Sequence, residues 1–205
     1  MITSLEARRG RQMAMLAAIT TVASFFIGAI LIGPEFVGYS EQWGPINNVL
    51  GFFQGIGHIF AIGLCMKLFG ADDKVDLRIF STIVLIAATM QLTYSLSPTF
   101  TANSVFKTEF NSDQVTGMAG TINSVIFVLY GIWAWILTNS DSSNLLPSWA
   151  SLAGKGAGTL IIVAQALSLF GLIPGNLWAP IFILGGVILW PVFMIGISNA
   201  FGNNA

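Results

Sequence analysis

The sequence predicts an all-α fold: a polytopic membrane protein, a six-transmembrane-helix bundle with both termini cytoplasmic, forming a single integral membrane domain over residues 1–205. Three observations predict it. The chain is 55% hydrophobic and only 8% charged, whereas a soluble domain carries roughly 25% charged residues and needs them to cover its surface. Apolar runs recur at about the 20 residues that carry a helix across roughly 30 Å of hydrocarbon. The basic residues gather on alternate connections, as the positive-inside rule requires of a chain that crosses an even number of times. So much apolar surface excludes a disordered chain. The runs are also too long and too unalternating for barrel strands, and a helix satisfies its own backbone in lipid.

The first span, 13–33, follows Arg8, Arg9 and Arg11. It is longer than a secretory signal core and closes in GPEF without an A-x-A cleavage site, so it reads as a retained helix. The second, 49–69, contains GFFQGIGHIF and is followed by a connection flanked by Lys67, Lys74 and Arg78; the third is 79–97. An outer connection with Lys107, Glu109 and Asp113 leads to the fourth span, 117–138, and Lys155 closes the inner connection before the fifth, 156–173. IPGN, with a Pro174-Gly175 turn, separates it from the sixth, 178–199, where Pro191 removes a backbone donor and is expected to kink the helix. Of the eight basic residues, all but Lys107 fall on one side of this arrangement. Tyr39 and Trp43 on the outer side, Trp133, Trp135 and Trp149 towards the inner side, and Trp178 suit aromatic belts.

The candidate functional residues are polar side chains inside these spans: Gln54, His58, Gln91, Asn123 and Gln165. Gly51, Gly55 and His58 share a helix face with Gln54 beside them, and the GxxxG pair lets another helix backbone approach, which turns His58 towards protein. Gln91 lies near Ala87, Ala88 and Ser95, Asn123 beside Gly120 and Ser124, and Gln165 near Ala164, Ser168 and Gly171. Polar groups in hydrocarbon seek one another or line a watered cavity. Two readings of this seam stay open. It is a pocket that binds or transports a small neutral or amphipathic molecule, with the ionisable His58 at its centre; or it is interhelical hydrogen-bond glue in a structural or accessory subunit.

Other chemistry lacks support. One histidine and one cysteine, Cys65, with no acidic residue inside the expected hydrocarbon, do not supply a bis-histidine haem, a catalytic metal or a disulfide. No cofactor is expected, and no catalytic serine motif is present. GKGAG, 154–158, departs from the phosphate-loop pattern and reads as a tight helix entry. Glu35, at the outer end of the first span, reads as a solvated cap. A net charge of -1 argues against a nucleic-acid partner. Membrane lipids are the expected surroundings, and the scattered small residues permit a homo-oligomer or a membrane-complex partner.

LLPSWASLAGKGAGTLIIVAQ, 145–165, and the closing ILWPVFMIGIS resemble a pattern of small uncharacterised bacterial polytopic inner-membrane proteins of unknown function, in which a Leu-Pro-x-Trp element leads into a glycine-bearing helix. The resemblance implies a multi-pass protein of the bacterial inner membrane and transfers no functional residue. GNLWAPIF is similar to a segment of the tryptophan-rich sensory proteins, a five-helix family from which the six expected spans depart.

Overall fold

The computed structural model describes residues 2–32, 43–96 and 112–204; within them the side chains of 30, 32, 44–45, 91, 93–96, 112–123 and 175–176 lie outside the description. Glu35, Tyr39, Lys107 and Glu109 lie outside the described residues, as do most of the two connections expected on the outer side.

Among the described residues the chain is helical without a strand. α1, Ser4–Phe26, runs on as a π-helical stretch, Ile27–Ile32; α2 is Gly44–Leu68; a single 3-10 turn, Ala71–Asp73, leads to α3, Val75–Leu96. α4, Ser112–Ser140, and α5, Ser148–Leu169, follow. α6, Gly175–Phe182, continues through π-helical Ile183–Leu189 into α7, Trp190–Gly202, as one rod. Among the described residues four helical stretches, Ser4–Ala29, Ile46–Leu68, Ser148–Leu169 and Leu177–Gly202, are long and apolar enough to cross a membrane, and a shorter apolar stretch covers Ser124–Ser140.

Helix ends follow local chemistry. Thr3 caps α1 by accepting the Glu6 backbone N–H at 3.3 Å, while the Glu6 carboxylate accepts the Thr3 N–H at 2.9 Å, a reciprocal capping box. The Asp141 carboxylate accepts the backbone N–H groups of Leu145 and Leu146, both at 2.9 Å, and so folds the link between α4 and α5. α5 then opens at Ser148 behind Pro147, eight residues before the expected span begins. GKGAG therefore lies inside a helix rather than at its entry. Before Pro191, which has no N–H to donate, the rod is π-helical over Ile183–Leu189, and it continues as α-helix from Trp190.

Each rod packs on its neighbours in chain order, α1 on α2, α2 on α3, α3 on α4, α4 on α5, α5 on the α6–α7 rod, and α7 returns to α1. The ring is therefore closed. The Ser198 hydroxyl donates to the Arg11 carbonyl at 3.1 Å, joining the last rod to the first. At the same end Lys67 pairs with Glu6, and the Lys74 ammonium donates to the carbonyls of Phe69 at 2.8 Å and Ser140 at 2.6 Å. The start of α1, the ends of α2, α4 and α7 and the approach to α3 thus share one end of the bundle, with the basic residues around them.

Between neighbours the ring is lined by small residues. α5 buries Ala150, Ala153, Gly154, Ala157, Gly158 and Ala164; α1 buries Ala7, Gly10, Ala14 and Ala17. α4 and α5 meet backbone to backbone: a Cβ on Gly158 would stand 2.6 Å from the Gly131 carbonyl oxygen, and one on Gly131 would stand 2.9 Å from the Gly158 carbonyl. On α2, Gly55 faces Leu92 of α3, and Gly57 faces the backbone of Met13 and Ala17 on α1. Other large apolar side chains face outward, with Phe170 at 76%, Leu152 at 74% and Ile86 at 60% exposure. Small residues at the contacts between neighbouring helices, with large apolar ones facing outward, is the pattern of helices packing in lipid, where hydrophobic burial does not drive association.

Candidate functional site

Alternate members of the ring send large side chains to its axis. His58 of α2 is 2% exposed and sits against Tyr130 of α4, ring centroids 5.1 Å apart, and Trp190 at the start of α7, 5.7 Å apart. Tyr130 and Trp190 are themselves 5.3 Å apart, so the three rings close a triangle. Trp133 and Phe193 extend it towards the basic end, with Trp133 6.3 Å from Trp190 and Phe193 5.8 Å from it. These rings come from two periodicities: Tyr130 and Trp133 are three apart on α4, as are Trp190 and Phe193 on α7, and so face one way.

The indole N–H of Trp190 donates to His58 Nε2 at 3.0 Å. An indole only donates, so Nε2 must accept, and the neutral imidazole carries its proton on Nδ1. That Nδ1–H is buried and has no partner among the described residues. An unpaired donor in such surroundings costs roughly 1–3 kcal/mol, which is a reason to ask what it would bind. The arrangement can offer one hydrogen bond to an acceptor, flanked by aromatic rings. The indole N–H of Trp178, stacked on Phe182 at 5.0 Å, is the other buried side-chain donor without a partner among the described residues.

Of the remaining candidate residues, Gln54 has its partner on another helix. Gln54 donates to the Thr21 hydroxyl at 3.0 Å, and that hydroxyl donates onward to the Ala17 carbonyl at 2.7 Å, so this carboxamide ties α2 to α1. Gln165 is buried on the small-residue face of α5. No hydrogen bond among the described residues joins Gln54 or Gln165 to His58. Gln91 and Asn123 occupy α3 and α4, but their side chains lie outside the described residues.

Trp133 corrects an expectation. It is fully buried, and its indole N–H donates to the Ser81 hydroxyl at 3.0 Å, so it is a core residue of the axis rather than part of an interfacial belt. Trp135 and Trp149 are exposed. Tyr130 and Trp190, the rings around His58, are absent from the polar seam read off the sequence because their contribution is a face or a single N–H on a large apolar body. The three-residue spacing of aromatics on α4 and α7 was the available signal. Among the described residues no three His, Cys, Asp or Glu side chains converge as a metal site would require. No protein-family model, curated protein or solved structure matches the chain.

Proposed function

We propose that the chain is a six-span protein of the bacterial inner membrane, with both termini cytoplasmic, that holds a small neutral or amphipathic molecule against His58. The observation that carries this reading is the Nδ1–H of a buried imidazole, fixed as a donor by the Trp190 bond and left without an acceptor among the described residues. A carbonyl, ether or hydroxyl oxygen on the ligand accepts that proton, and Tyr130 and Trp190 supply apolar faces beside it. Gln91, Asn123 and Gln165 belong to this proposal as further polar contacts, from α3, α4 and α5. The basic residues gathered at the end of the bundle that holds the start of α1 support the assignment of that end to the cytoplasm.

The test is native mass spectrometry of the purified chain from mild detergent, comparing wild type with His58→Gln. A glutamine amide can reach the Nε2 position and keep the Trp190 bond while offering nothing at Nδ1. The expected result is a co-purifying small molecule in wild type that is lost in the variant, with thermal stability kept. A second reading, a structural or accessory subunit without a ligand of its own, is favoured by the Gln54–Thr21 and Trp133–Ser81 bonds, which join helices. It stands if wild type retains no molecule, or if the variant retains the same one equally.

A further inference from the structure

We propose that the groove between α1 and α7 at the basic end binds an anionic phospholipid, with its phosphate on Arg8 and Arg11 and an acyl chain along Leu16 and Ile19. The groove encloses about 540 Å³, and Arg8, Arg11, Gln12, Met15, Leu16 and Ile19 line it from α1. These positions are separated by three, one, three, one and three residues, a single helix face about 16 Å long at 1.5 Å per residue. The face has a polarity: guanidinium groups occupy its first turns and apolar side chains the rest. Ser198 of α7 completes the wall, holding the Arg11 carbonyl, and the Arg11 stem lies across Gly202, where an added Cβ would stand 3.5 Å from its Cδ.

Charge separates this face from the other side of the same helix. Lys67 is neutralised by Glu6, whereas Arg8 and Arg11 are exposed and have no carboxylate partner among the described residues. Ile19 is 59% exposed, an apolar side chain open to its surroundings directly below them. A planar guanidinium fork matches phosphate oxygens. A soluble phosphate or an acidic peptide would use the arginines alone, and a neutral lipid would use the apolar stretch alone. Only an amphiphile with an anionic head uses both, and the passage from Gln12 to Met15 falls where the expected hydrocarbon span begins. The inference rests on α1 crossing a membrane and is independent of the His58 site.

The experiment is native mass spectrometry of the full chain in mild detergent with added phosphatidylglycerol or phosphatidylcholine. Wild type is expected to retain phosphatidylglycerol in preference to phosphatidylcholine. Each basic residue near an anionic lipid surface is worth about fivefold, so Arg8→Gln or Arg11→Gln alone is expected to lower retention by about fivefold, and the pair by about thirtyfold. His58→Gln is expected to leave it unchanged, and Arg9→Gln, whose guanidinium lies outside the groove but donates to Gln12 at 3.5 Å, to lower it by less than Arg8→Gln or Arg11→Gln. Ile19→Asn, with the arginines intact, is expected to weaken it as well. Equal retention of the two lipids, unchanged retention in the double variant, an equal loss in Arg9→Gln, no effect of Ile19→Asn, or full displacement by millimolar inorganic phosphate would each overturn the proposal. Thermal melts of every variant keep a folding defect from passing as lost binding.

Discussion

The perimeter of the ring and its axis are built on opposite terms. Around the perimeter, neighbouring helices touch through glycine and alanine, and at Gly131 and Gly158 the two backbones almost meet. At the axis, helices that are not neighbours are bridged by large aromatic side chains, Trp133, Trp190, Phe193 and Tyr130, with His58 among them. At Gly57, Gly131 and Gly158 the perimeter contact is with the backbone of another helix and tolerates no added atom. The axial contacts are side-chain packing, with single hydrogen bonds fixing ring orientation. Close approach at the rim brings opposite helices near enough for one aromatic layer to fill the space between them. A polar group on the rim can therefore reach a neighbouring helix, as Gln54 does, while one on the axis is enclosed by rings and depends on what they offer.

The largest expected effect comes from adding one methyl group to the rim. In Gly158→Ala the new Cβ meets a backbone oxygen of another helix, which cannot rotate away, and overpacking of this kind costs about 1–3 kcal/mol. Gly63→Ala is the matched control, because nothing among the described residues lies within 4 Å of its added Cβ. There alanine's better helix propensity is expected to leave stability unchanged or raised by up to about 1 kcal/mol. Denaturant or thermal unfolding in detergent reads both. Equal effects of the two substitutions would break the distinction between rim and exterior.

How much of this was legible in the sequence follows from the same contrast. Helix identity was legible because apolar length is additive along the chain, and the four qualifying stretches lie within or across expected spans 13–33, 49–69, 156–173 and 178–199. The inward turn of His58 was legible from the glycines near it. The partners of His58 were not, because Tyr130 and Trp190 come from helices distant in sequence, and hydropathy does not tell an axial tryptophan from an interfacial one. Trp133 and Trp135 make the point. They are two residues apart, one fully buried and the other exposed, and only helix phase separates them. The start of α5 was hidden for another reason: its first turns, with Ser148, Ser151 and Lys155, are helical but too polar to register as hydrocarbon span.

Hydrogen bonds sharpen the comparison at smaller magnitude. Interhelical side-chain bonds in a membrane protein are worth about 0.6 kcal/mol on average and about 1.7 at most. Trp133–Ser81 joins two fully buried residues, whereas Gln54 is partly exposed. Double-mutant cycles with Trp133→Phe and Ser81→Ala are therefore expected to give a coupling near the upper value, and cycles with Gln54→Leu and Thr21→Val one near the average. The reverse order would mean that burial at the axis does not set the worth of a bond.

The smallest effect belongs to the basic end, outside both regions. The Lys67 ammonium, followed by the backbone N–H and hydroxyl of Thr3, holds the Glu6 carboxyl down to about 2 from an ordinary 4.5. Because the folded value is depressed, the stabilisation is fully present above the unfolded value and disappears as pH falls through the folded one. Comparing the melting temperature of wild type with that of Glu6→Gln is therefore expected to show a constant small gap above about pH 5 that narrows below 4.5 and closes near 2. The pair is solvated, so the gap is also expected to shrink with added salt. A gap that stays constant down to pH 2 would show that the ionised carboxylate contributes nothing, and that Glu6 acts only as a neutral capping group for α1.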